Sequence, residues 1–216
     1  MEEDTQKPRD YSRWMETYRM HVLENGSPPP SVFAFCRVLG IGEEEFFEAF
    51  PTLDVFESEI WAERVRHVRE VLDADEEYAA YPPRQKALAF FYTFLESIRG
   101  QRSWFLARFP REFPARDPER LGRFRDVFLE WACPVAAEEV GAGKLAERLR
   151  ADKGVARLLY AHFRAILKFH LEDGSDRFER TDAFVEKSVR LFFDLADTRV
   201  PESAADLLRF LSGKKK

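Results

Sequence analysis

Apolar residues return every third or fourth position along almost the whole of this chain, which is the period of a helix. Val32, Phe35, Cys36 and Leu39 make one such face. Phe56, Ile60, Trp61, Val65, Val68 and Leu72 make a second, and Val155, Leu158, Leu159, His162, Phe163, Ile166 and Phe169 a third. Strand-type alternation is absent, and only 10 of 216 residues are glycine. The pattern predicts an all-α fold. With 45% hydrophobic and 34% charged residues, the chain has enough apolar surface for a core and enough charge to stay in water.

Breaks in the period divide the chain. Residues 1–9 are polar and read as a disordered tail. A first helix starts near Asp10, carries Trp14, Tyr18 and Val22 on one face, and stops at Asn25-Gly26. Ser31 follows three prolines and is an N-cap residue for the next helix. Gly40-Ile41-Gly42 ends that helix, another runs from Glu43 to Phe50, and Pro51 stops it. Two short helices around a glycine turn are the layout of a helix-turn-helix. A longer helix from about Asp54 to Asp73 leads to an acid-rich connection closed by Tyr81-Pro82-Pro83. The expected division is a head over 10–56, a linker helix and connection over 57–80, and a helical body over 81–212.

Ser31 to Phe56 resembles the tetracycline-repressor (TetR) family of bacterial regulators. The resemblance is carried by Gly26, Ser31-Val32, the Leu39-Gly40-Ile41 turn, Phe46-Phe47 followed by Phe50, and the acid-then-apolar start of the next helix at Asp54-Phe56. It implies a DNA-binding head joined to a ligand-binding, dimerising body, with Ser31, Arg37 and Phe47 at the positions that meet DNA. The head departs from the family in its charge. Gly42, Glu43, Glu44 and Glu45 stand where the family has Ser, Lys, Gly and Thr, Phe47 where it has a phosphate-binding tyrosine, Ala49 where a histidine is common, and Leu53 where it has a lysine.

From Val38 to Glu63 there is no Lys or Arg, while eight acids fall in the window: Glu43, Glu44, Glu45, Glu48, Asp54, Glu57, Glu59 and Glu63. Phosphate contacts by cations supply most of the affinity for duplex DNA. Carboxylates at the groove repel phosphate, and the short-helix benefit of acids at an N-terminus does not replace missing cations. The sequence therefore describes a DNA-binding fold that is ill suited to an operator. Two functions stay open: a ligand-responsive transcription regulator, or a protein on the same scaffold that binds an apolar ligand or another protein.

The body is rich in aromatic residues. A helix from about Arg84 to Arg99 carries Phe90, Phe91, Tyr92 and Phe94, and a broken segment from Ser103 to Pro118 carries Trp104, Phe105, Phe109 and Phe113. A helix from about Asp117 to Val140, with Pro134 inside it, buries Leu121, Phe124, Phe128 and Trp131. Most of these rings fill core. A cavity among them would be lined by Phe90, Phe94, Trp104, Phe128, Trp131, His162 and Phe163 and would suit an apolar or aromatic small molecule. Two long helices, Asp152 to Glu172 and Asp176 to Asp197, then a short amphipathic one from Ser203 to Leu211, complete the body before Lys214–Lys216. Resemblance to TetR proteins implies a homodimer through the two long helices, and Phe184, Val185, Val189, Phe192 and Phe193 form the wide apolar face expected there. The stretch around Phe184–Val189 and Phe192–Leu195 also resembles a TetR-like subgroup encoded beside atypical kinases of the ubiquinone-biosynthesis type.

Other chemistry finds no support in the sequence. There is no phosphate-cradling glycine loop, no nucleophile elbow and no metal-spaced cysteine pair, so no catalytic role, cofactor or metal is expected. Cys36 and Cys133 sit on apolar faces as core filler. The four histidines occur singly, and His162 reads as a core histidine with one polar partner. No run approaches the about 18 apolar residues of a membrane span, and no signal peptide precedes Tyr11, which makes the cytoplasm the default compartment. The arginines from Arg99 to Arg125 (Arg102, Arg108, Arg111, Arg116, Arg120 and Arg123 between them) outnumber Glu112, Asp117 and Glu119. They form either a solvated face or a docking surface for something acidic, such as another protein or this chain's own head.

Overall fold

The computed structural model describes residues 11–110, 112, 117–139 and 154–197. The expected tail over 1–9, the helix from Ser203 to Leu211, the final lysines, Arg111, Phe113 and Arg116 lie outside them. The described residues hold helices and turns and no strand: α1 (Ser12–Asn25), α2 (Val32–Leu39), α3 (Glu43–Ala49), α4 (Leu53–Asp73), α5 (Pro83–Ser97), α6 (Arg102–Arg108), α7 (Gly122–Glu139), α8 (Gly154–Glu172) and α9 (Glu179–Asp197). The fold is all-α.

Local chemistry sets the ends of the first helices. Gly26 closes α1 and Gly40 closes α2, each in the left-handed region at φ 71° and 73°, where a Cβ would be strained. Ser31 Oγ accepts from the Ala34 amide at 3.1 Å and caps α2. Thr52 Oγ1 does the same for α4, accepting from Val55 N at 3.0 Å. The segment after α5 is more ordered than the sequence suggests. Where a broken stretch was expected from Ser103, Trp104 and Phe105 are buried on the seven-residue helix α6. Pro134 lies within α7, so the helix continues through a position that cannot donate a backbone hydrogen bond.

The chain forms two compact units. Among the described residues, the head unit joins those up to Val65 to those of Ile98–Arg125, and the body unit joins Arg66–Ser97 to those from Asp126 onward. Chain order places residues 98–125 in the body, yet by contact they cluster with the head. Trp61 of α4 explains this grouping. Its ring lies 5.0 Å from Trp104, 4.9 Å from Phe105 and 5.7 Å from Phe124, so a large apolar surface on α4 is covered from that segment. Around α1–α4 a second ring cluster of Trp14, Tyr18, Phe35, Phe46, Phe50 and Phe56 fills the small helix-turn-helix core.

In the body unit, Phe90, Phe94, Phe128, Trp131 and Phe163 are all buried. Phe90 stacks on Trp131 at 4.0 Å and Phe128 on Phe163 at 5.1 Å, with Phe94 edge-on to Phe163 at 4.9 Å. Helices α8 and α9 form an antiparallel pair beside α5. Their connection is held by Asp173, whose carboxylate accepts from Ser175 N, Thr181 N and Thr181 Oγ1 at 2.7–2.9 Å. Burial works to raise the Asp173 pKa, but these bonds outweigh it and hold the group well below the usual carboxylate range.

Candidate nucleic-acid interface, buried carboxylate and body core

Helices α2 and α3 carry the residues expected at DNA. Ser31 is exposed and occupied as a cap, Arg37 is exposed on α2, and Phe47 is 52% exposed on α3 with its edge against the buried Phe46 ring at 5.9 Å. Glu43, Glu44, Glu45 and Glu48 are exposed as well. The sign of this end of the head is felt by Cys36. Burial raises its thiol pKa, and the Glu43 and Glu45 charges raise it further. Nearby cations are engaged elsewhere. Arg13 Nη2 donates to the Leu39 carbonyl at 3.0 Å, binding α1 to the end of α2, and Arg19 pairs with Glu16 at 2.9 Å.

One of the eight acids counted against DNA binding does not face solvent. Glu57 is 0% exposed. Its carboxylate accepts from Tyr18 Oη at 2.7 Å, from Arg108 Nη2 at 2.7 Å and Nε at 3.0 Å, and from Trp61 Nε1 at 3.4 Å. Arg120 Nε stands 3.9 Å away. The paired donors of a guanidinium match a carboxylate, and every donor here comes from a different turn of chain. Burial disfavours the Arg108 charge, but hydrogen bonding and attraction to Glu57 more than offset it and raise the Arg108 pKa. Burial, reinforced by the Glu57 charge, raises the Tyr18 pKa, so Tyr18 stays a donor.

The arginine run thus has acceptors inside its own chain. Arg108 and Arg120 turn to Glu57, and Arg123 Nε lies 3.6 Å from Glu59. These three contacts are with acids of the same chain. Sequence reasoning missed Glu57 because an acid four residues before a Trp on a mixed helix face carries no sign of a partner 51 positions on. The available hint was the imbalance of arginine over acid between 99 and 125.

The residues expected to line a ligand cavity fall in both units. Phe90, Phe94, Phe128, Trp131 and Phe163 come together and touch ring to ring, with Phe91 and Tyr160 joining them. Trp104 belongs to the head unit, where its ring lies 5.0 Å from Trp61. His162 lies beyond Phe91, stacked on Phe192 at 5.4 Å, with Nε2 at 2.9 Å from Ser188 Oγ. Burial lowers its pKa to about 4. A separate open groove of about 440 Å³ is lined by His67, Tyr92, Thr93, Glu96 and Ser97. Tyr92 donates to the Asp182 carbonyl at 3.3 Å, and burial with the Glu186 and Asp182 charges pushes its pKa to about 12. Among the described residues no three His, Cys, Asp or Glu are placed to hold a metal, and no helix is long and apolar enough to cross a membrane.

The dimer face expected from the sequence splits in two. Val185, Val189 and Phe193 are buried within the chain, on the side of α9 that packs on α5 and α8, so they are core of the single chain. Phe184 and Phe192 are half-buried, against Phe169 and His162. Next to them Leu191 and Leu195 are 59% and 56% exposed, and Leu158 of α8 is also exposed. Residues 184, 188, 191 and 195 follow one another at helical spacing, as do 158, 162, 165 and 169. The uncovered apolar stripe is therefore rotated from the one expected.

The family of tetracyclin repressor-like C-terminal domains matches the chain over residues 86–211. No curated protein and no solved structure matches it significantly. The matched span is more than half of the chain, and together with the all-α helix-turn-helix head it shows that this protein belongs to the tetracycline-repressor-like family of regulators.

Proposed function

We propose that this protein is a homodimeric regulator of the TetR type whose head does not hold operator DNA. The observation that carries this reading is the exposed surface of α2 and α3, where Glu43, Glu44, Glu45, Glu48 and Phe47 occupy the side a regulator of this kind turns to the groove. Arg13 and Arg19 are committed to Leu39 and Glu16, which leaves Arg37 as the cation on the two helices. A typical site uses roughly 6–10 phosphate contacts, so affinity for duplex DNA should fall below the usual nonspecific range of about 10⁻⁴–10⁻⁶ M. Fluorescence anisotropy with random and genomic duplexes at micromolar protein should show no binding in near-physiological salt. Protection of a discrete operator at nanomolar protein overturns the reading. Replacing Glu43 by Lys, Glu45 by Thr, Phe47 by Tyr and Leu53 by Lys together should create binding with a steep salt dependence.

Dimerisation is part of the proposal, through the stripe of Leu158, Phe184, Leu191, Phe192 and Leu195. Exposed and half-buried apolar residues at helical spacing on paired helices fit a self-complementary interface. Leu191→Glu with Leu195→Glu should give folded monomers by light scattering, whereas Val189→Glu should unfold the chain. A wild-type monomer at all concentrations removes this part. Any ligand of the body would be apolar or aromatic, since the rings around Phe90 and Phe163 leave little to bond with polar groups. It would enter by displacing rings already in contact, and a thermal shift with aromatic but not polar compounds is the expected sign. Action in the cytoplasm is consistent with this role.

A further inference from the structure

The apolar face shared by α8 and α9 carries a polar pair in its middle. At about 100° per residue, positions 158, 162, 165 and 169 lie within about 60° of one another around α8. Positions 184, 188, 191 and 195 do the same around α9. Contacts join the two rows. Phe169 stacks on Phe184 at 4.6 Å, and further along His162 stacks on Phe192 at 5.4 Å, with its Nε2 2.9 Å from Ser188 Oγ. His162 and Ser188 are half-buried, while Leu158, Leu191 and Leu195 around them are exposed.

The hydrogen bonds decide where the protons are. Burial keeps the His162 ring neutral near pH 7, so it carries one proton. Nδ1 is buried and has no hydrogen-bond partner among the described residues. A buried N–H without an acceptor is rarer and costlier than an idle acceptor, which places the proton on Nε2. Nε2–H therefore donates to Ser188 Oγ, and the serine has its own proton still to place. The acceptor it reaches is the Val185 carbonyl at 3.4 Å, a long bond where about 2.7–2.8 Å is usual. A half-buried hydroxyl can turn that proton to water, but one covered by a leucine cannot.

We infer that the homodimer pairs these polar groups across its interface. The Ser188 hydroxyl of one copy donates to the Ser188 Oγ of the other, which keeps a free lone pair, and each His162 holds its own serine in place. The side chains of Leu158, Phe184, Leu191, Phe192 and Leu195 offer no acceptor. A self-complementary face meets itself, so the acceptor at its centre is the same serine on the second copy. A shifted pairing sets the hydroxyl against leucine and leaves it unsatisfied, so the polar pair selects how two copies meet. This inference rests on the homodimer proposed above and names the contact at its centre.

The test uses the full chain carrying Cys133→Ser, to which either Ser188→Cys or Arg190→Cys is added. Arg190 is exposed and lies about 140° around α9 from the middle of the row, so it is the control. A disulfide needs Cα atoms within about 7 Å, so under mild oxidation Ser188→Cys should form covalent dimers at least about tenfold faster than Arg190→Cys. Sedimentation of single variants reads the hydroxyl itself. Ser188→Thr keeps it and should leave the dimer dissociation constant unchanged. Ser188→Val strands His162 Nε2 beneath the covered face and should raise that constant about tenfold. A wild-type chain that is monomeric at all concentrations removes the homodimer, and this contact with it. A wild-type dimer whose Ser188→Cys variant crosslinks no faster than the control, or whose Ser188→Val variant dimerises as tightly as the wild type, overturns this inference and leaves the homodimer standing.

Discussion

The head and the body solve the same packing problem with different materials. The body core is ring on ring, with Phe90, Phe94, Phe128, Trp131 and Phe163 in direct contact, and the carboxylate it buries, Asp173, finds its donors close by in the chain, on Ser175 and Thr181. Beneath its aromatic residues, the head buries a carboxylate and surrounds it with Tyr18, Trp61, Arg108 and Arg120. Rings pack in many near-equivalent ways, so the body can tolerate rearrangement and keep its stability. A buried charge accepts only the arrangement that satisfies it. The difference teaches that the head is specified by a charge satisfied across distant segments, and the ring cluster of the body by volume.

Substitutions sharpen this contrast. Phe128→Ala in the body should cost about 3–5 kcal/mol through lost transfer and the cavity left behind, measured by urea denaturation. Arg108→Met in the head should cost a similar amount, about 3–5 kcal/mol, although it removes little volume, because the buried Glu57 loses its hydrogen-bonded cation and keeps only Arg120 at 3.9 Å. Replacing both members, Glu57→Leu with Arg108→Met, should recover most of that loss. If the double variant is as unstable as the single one, the pair is not the source of the head's specificity. Opening the body instead, by a pair of Phe→Leu changes, should leave a folded but less rigid unit.

A pH effect is expected from the body at His162. The folded-state pKa of His162, about 4, lies below its unfolded value near 6.5. Between the two, the unfolded chain binds more protons, so His162 contributes stability that is complete above about pH 6.5 and is lost as pH falls toward 4. The loss should be on the order of 2 kcal/mol. His162→Gln keeps a donor toward Ser188 and should flatten the stability profile in that window. An unchanged slope would place the titration elsewhere.

The smallest expected effect is at the start of the helix-turn-helix. Ser31→Ala removes the cap on α2 and should cost about 1 kcal/mol without altering the body. A drop of several kcal/mol would mean that Ser31 supports more than the cap.

What could be read from the sequence was whatever neighbours in the chain decide among themselves. Ser31, Gly26 and Gly40 mark helix ends by local backbone chemistry, and each ends a helix where its residue type indicates. Spacing also separated Phe35, Cys36 and Leu39 from the exposed side of α2. The grouping of residues 98–125 with the head was not legible, since it depends on Trp61 meeting Trp104 and Glu57 meeting Arg108 across more than 40 positions. Nor could periodicity tell which part of the wide apolar face on α9 the chain covers for itself. Val189 and Leu191 look alike in sequence, and one is core while the other is in water.

A head whose second half arrives only after α5 is not a removable cartridge. A fragment ending at Ser97 would carry α1 to α4 complete, yet expose the Trp61 ring and strand the Glu57 carboxylate in an apolar wall. Grafting this helix-turn-helix onto another body, or exchanging heads between relatives, therefore requires moving two separate pieces of polypeptide at once. Swaps cut at the apparent linker near residue 80 should yield insoluble chimeras, and those that also carry 98–125 should fold.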